Sequence, residues 1–118
     1  TNEPISLTDI ARRFEPDNSS YLIQSWLRGR NTIEFLGEWE RNNDKKFNEE
    51  VFQKLLKNVR APFYTLAPKR MIETVNAIGL ESKRGKNYDT MAHPFIACDF
   101  EMWNNMQFRY EVLKYFMS

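Results

Sequence analysis

Three cations bracket one glycine in Lys83-Arg84-Gly85-Lys86, and Asn87 follows them directly. Lys and Arg grouped on a turn are the side chains that neutralise phosphate oxygens. Gly85 supplies the positive φ of a tight hairpin, and short extended-looking runs flank it between Gly79 and His93. The plain alternative is an ordinary solvated turn. Lys69 and Arg70 fall just after Pro68, at the start of a helical pattern, where cations oppose the helix macrodipole. They serve a ligand there or are ordinary solvated charges. Arg28, Arg30 and Asn31 form a third group around Gly29. In the major groove Arg pairs with guanine and Asn with adenine, so Arg28 or Asn31 is suited to read base edges.

Charge is segregated along the chain. The net charge is only +1, yet residues 54–86 carry eight Lys or Arg against two acids, Glu73 and Glu81. A one-sided phosphate-binding face requires such a distribution. Catalytic groupings are missing. The single histidine, His93, and the single cysteine, Cys98, stand five residues apart, a spacing that does not share a helix face. Neither a hydrolytic triad nor a zinc site can be assembled from them, and no phosphate-binding glycine loop with its lysine occurs. No enzyme activity and no cofactor are expected. His93 reads as a helix-start residue, contributing to capping or packing. One cysteine excludes an internal disulfide framework and suits a reducing cytoplasm, and no run approaches bilayer-spanning length.

The chain of 118 residues, 42% hydrophobic with nine Phe, five Tyr and three Trp, has material for one core. Thr1 in place of Met points to a segment excised from a longer chain. Ile5 can end a short strand, and Leu7, Ile10, Ala11 and Phe14 then recur at helical spacing behind Ser6 and Asp9, spaced as in a capping box. Ser19 or Ser20 can cap a second helix that buries Leu22, Ile23, Trp26 and Leu27. These two helices form a helix-turn-helix pattern. A third helix starting near Asn31-Thr32 buries Ile33, Phe35, Leu36 and Trp39, and 42–46 is a loop. Asn48 caps a fourth, with Phe52, Leu55, Leu56 and Val59 inward. Phe63–Leu66 reads as a strand, and Met71, Ile72, Val75 and Ile78 line one face of the helix after Pro68. Pro94 opens a helix burying Ile96, Ala97, Phe100 and Trp103, and a last helix buries Phe108, Val112, Leu113 and Phe116. The fold is therefore α+β, mostly α. No surface stripe stands out as an unpaired apolar face, so a monomer or weak dimer is expected.

The ordered motifs carry a resemblance. Ile5-Ser6-Leu7-Thr8-Asp9-Ile10-Ala11 resembles the opening of KilA-N domains, and Ile23-Gln24-x-Trp26-Leu27-Arg28-x-Arg30-Asn31-Thr32-Ile33-Glu34-Phe35-Leu36-Gly37-x-Trp39-Glu40 is a long match to the same family. Phe63-x-Thr65-Leu66-x-Pro68-Lys69, then Asn76-Ala77-Ile78-Gly79-Leu80-x-Ser82-Lys83-x-Gly85 and Thr90-x-Ala92-His93, continue it in order. KilA-N domains are similar to the APSES domains of fungal transcription factors. The resemblance implies a helix-turn-helix with a β-hairpin wing, a small sheet, and binding of double-stranded DNA in viruses, phages or bacteria. Two positions depart from it. Tyr88 and Asp89 stand where the family hairpin has paired glycines, which adds bulk and a negative charge. Met106 stands where the family often has proline, which alters how the last two helices join.

Two further roles compete with a regulatory DNA-binding module. One is a protein-interaction module of antirepressor type, motivated by the near-neutral charge and Asp89. The other is a domain that delivers an attached enzyme to DNA.

Overall fold

A computed structural model of the chain describes residues 3–59, 72, 73, 75, 77–83 and 89–118. The Phe63–Leu66 strand, the start of the helix after Pro68, and Lys69, Arg70, Arg84, Lys86 and Asn87 lie outside the described residues. The rest is mostly helical with a small antiparallel sheet, an α+β fold.

β1 (Ile5–Ser6) leads directly into α1 (Leu7–Phe14), and Ser6 Oγ accepts from the backbone N–H of Asp9 at 3.0 Å. That cap satisfies a first-turn donor and fixes where the strand becomes a helix. α2 (Ser19–Arg28) starts behind Asn18, and neither serine makes a capping bond. Cap rules admit Asn and Ser alike, so this boundary could not be chosen from residue type alone. α3 (Arg30–Asn43) follows after Gly29 alone. It begins two to three residues before the start that an Asn31-Thr32 cap would give, because Thr32 is buried inside the helix instead of capping it, and it runs into the expected loop. The side chain of Asn48 caps α4 (Glu49–Val59) through the N–H of Val51 at 3.1 Å.

Ile72, Glu73 and Val75 have helical backbone, with Val75 buried, Ile72 packed against the core and Ile78 exposed. β2 (Leu80–Lys83) and β3 (Asp89–Ala92) pair antiparallel, with Leu80 opposite Ala92 and Lys83 opposite Asp89. β1 adds to the other edge of β3, giving the order β1-β3-β2. The pleat of β3 buries Thr90 and Ala92 and leaves Asp89 and Met91 half-buried, the period-two pattern of a sheet with one covered face.

α5 (Pro94–Asn104) opens on Pro94, with His93 as its cap. The His93 Nδ1 atom accepts from the N–H of Phe95 at 3.1 Å, and its ring lies 5.0 Å from that of Trp39. The expected capping and packing role is thus observed. Asn105 caps α6 (Met106–Met117), accepting from the N–H of Phe108.

Leu7, Ala11, Trp26, Leu27, Ile33, Leu36, Phe52, Ile96 and Phe100 form the centre of one core. Gly37 lets α4 approach α3: a Cβ there would sit 2.1 Å from the Phe52 ring. Two expectations about the last helices fail. Trp103 is 42% exposed, and α6 buries none of its residues. Leu113 and Phe116 face solvent at 52% and 82%, because among the described residues α6 packs chiefly on α5. Among the described residues no helix is long and apolar enough to cross a membrane.

Candidate nucleic-acid interface

The α2–α3 corner is the first part of the candidate surface. Arg28 ends α2, Gly29 turns the chain with extended geometry (φ −72°, ψ 127°), and Arg30 and Asn31 open α3. All three polar side chains are exposed. Arg30 Nε donates to Glu34 Oε1 at 3.1 Å, an exposed i, i+4 pair worth a few tenths of a kcal/mol. Arg28 makes no ion pair among the described residues. Gly29 offers no side chain to cap α3, so the first N–H groups of that helix stay available to an acceptor. Asn31 and Arg109 line a groove of about 250 Å³ whose wall includes Phe35, Trp103 and Met106. The sequence offered no sign that Arg109 would lie near Asn31.

The hairpin is the second part. β2 and β3 form it as expected, and Lys83 is the last residue of β2. Its root is held by a residue the sequence reading did not single out. Glu40 in α3 is 3% exposed and accepts from the N–H of Gly79 at 2.7 Å and of Ile78 at 3.0 Å. The N–H of His93 closes the hairpin base on the Gly79 carbonyl at 2.8 Å. Glycine at 79 makes room for this packing, since a Cβ would come 2.5 Å from Ile96 and 2.9 Å from Trp39 and force them to shift. The signal for Glu40 was positional: it lies four residues after Leu36 and seven after Ile33, on their buried face.

Burial raises the Glu40 pKa above the ordinary carboxylate value, against the pull of the Gly79 and Ile78 N–H groups, and Asp44 adds to the rise. A raised acid pKa means that folding favours the protonated form. The stability owed to Glu40 is therefore full below the unfolded-chain value and is lost as pH rises through the folded one. The parent protein should lose stability relative to Glu40→Gln across that rise, measured by denaturant melts at a series of pH values. A difference independent of pH would show that Glu40 does not titrate with folding.

The flank of the hairpin rests on α1. Thr8 Oγ1 accepts from the N–H of Thr90 at 3.0 Å, joining α1 to the central strand. Asp89, expected to add negative charge to the hairpin, has its Oδ1 buried and 3.8 Å from Arg12 Nη2. A cation of α1 therefore offsets that charge. Arg12 also donates to Asp9 at 3.1 Å.

Other cations are engaged elsewhere. Arg13 pairs with Glu101, and Arg41 forks onto Glu49 at 2.8 and 2.9 Å. Trp26 and Phe100 are fully packed, as the assignment of aromatics to the core expected. Phe95 and Trp103 are exposed instead.

Comparison with protein families decides the relationship: the model of the KilA-N domain matches residues 1–118, the whole length. The chain belongs to the KilA-N domain family. No match was found among curated proteins or among solved structures. The KilA-N family is generally associated with DNA binding and is not a known enzyme class. Nucleic acid is accordingly the partner class of this KilA-N domain at the level of the family.

Proposed function

We propose that this domain is a regulatory DNA-binding module of viral, phage or bacterial type, in which the α2–α3 corner reads bases and the hairpin is a wing on the phosphate backbone. The full-length KilA-N match carries the reading. The exposed Arg28 and Asn31 beside an uncapped helix start support it locally. In this reading Arg28 and Asn31 contact base edges. Arg30, Lys69, Arg70, Lys83, Arg84 and Lys86 contact phosphate, with Asn87 beside them at the tip. The Arg30–Glu34 pair is weak enough to be exchanged for a phosphate contact. Glu40 and the Arg12–Asp89 pair act as positioning residues for the wing, since they fix its root and flank to α3 and α1.

The test is a fluorescence-anisotropy titration on a mixed-sequence duplex at about 50 and about 200 mM salt. Neutralising about six phosphates should give a log–log slope near −5.4, hence a loss of roughly one- to two-thousandfold between the two conditions. Binding that is absent, or unaffected by salt, would replace this reading with the protein-interaction module.

A further inference from the structure

α6 has two apolar faces, and among the described residues only one of them packs against another element. Phe108 and Val112 are half-buried where the helix packs on α5. On another face Met106, Tyr110, Leu113 and Met117 are 60, 66, 52 and 80% exposed. These four recur at steps of four, three and four residues, the spacing of the seam residues in a helix pair. With 3.6 residues per turn they fall within about 60° of arc, a single straight stripe. Phe116 flanks the stripe on α6, and Trp103 of α5 shares a groove with Met106; both are exposed. At about 200 Å² for a large side chain, the six exposed fractions amount to roughly 750 Å² of surface. A stable interface buries about 800 Å² per partner, and isolated soluble domains rarely leave so large a patch in water.

We propose that this face is a self-association surface, on which α6 of a second copy packs antiparallel about a twofold axis. The charges select that arrangement. In a parallel pair, the positions flanking the seam would set Arg109 against the partner's Lys114, a like-charge contact. Run antiparallel, the stripe places Met106 opposite the partner's Met117 and Tyr110 opposite the partner's Leu113. Arg109 then meets the partner's Phe116, a cation over an aromatic face. Each contact occurs twice, as an isologous interface requires.

Sedimentation equilibrium on the 118-residue chain, from about 1 to about 200 μM, tests the proposal. The apparent mass should rise with concentration to twice that of one chain. The double variant Tyr110→Glu/Leu113→Glu should shift the midpoint upward by roughly a hundredfold or more, with unchanged helicity because both positions are exposed. Arg109→Glu separates the two orientations. It should weaken the antiparallel dimer by roughly three- to tenfold, whereas a parallel pair would tighten through the partner's Lys114. A parent that stays monomeric throughout, a double variant that still dimerises at the parent's midpoint, or a tightened Arg109→Glu would overturn the proposal. None of these outcomes depends on whether the domain binds DNA.

Discussion

Replacing Trp26 by alanine should destabilise the fold by about 3–5 kcal/mol, as truncation of a fully enclosed large aromatic does. Trp26 is 1% exposed at the centre of the core. Its ring meets Phe100 edge-on at 5.1 Å, and its indole N–H donates to Asp99 Oδ2 at 3.1 Å. The variant loses ring contacts that tie α2 to α5, and it leaves Asp99 without the indole N–H. Neighbouring side chains cannot fill the space without leaving their rotamers, so a cavity persists. Chemical denaturation with an unchanged m-value would report the loss as stability alone. Trp26→Phe keeps much of the ring and loses the donor, and should cost less, on the order of 1–2 kcal/mol beyond the volume change. A loss below about 1 kcal/mol in the alanine variant would mean that the indole lies outside the core.

The burial of Trp26 was legible because one residue's spacing sufficed. Ile23, Trp26 and Leu27 share a helical face whichever neighbours cover it. The same holds for the Asn48 cap, for Pro94 at the start of α5, and for the antiparallel pair around Lys83-Arg84-Gly85-Lys86. Each depends on residues within a few positions of one another. For Glu40 only its place on the buried face of α3 was legible, and its role was not. Its partners, the N–H groups of Ile78 and Gly79, stand 38 and 39 positions away and leave no trace in local composition.

Asp89 shows the same limit in the opposite sense. Its charge was plain in the sequence, but the Arg12 guanidinium facing it came only with the packing of α1 on β3. In α6 periodicity found apolar residues, yet it could not tell a face packed on α5 from an exposed one. Phe108 and Leu113 look alike as letters. One is half-buried and the other is 52% exposed.

The wing assignment makes the largest functional prediction, and it concerns the cations carried by the hairpin. If Lys83, Arg84 and Lys86 each neutralise about one phosphate, replacing all three by alanine removes about three released counterions. The log–log salt slope should flatten by up to about 3 units, and affinity near 0.1 M salt should fall by roughly 10²–10³-fold on every duplex alike. Stability should barely change, because turn cations add little to a native state. The roots that position the hairpin, Glu40 on Gly79 and Arg12 facing Asp89, are untouched by the three substitutions. Arg28→Ala or Asn31→Ala should behave differently, relaxing preference at one base position by about 1–3 kcal/mol of discrimination. The contrast separates backbone contact from base reading within one protein. A folded triple variant with unchanged affinity and salt slope would remove the hairpin from the interface and leave the α2–α3 corner to carry binding alone.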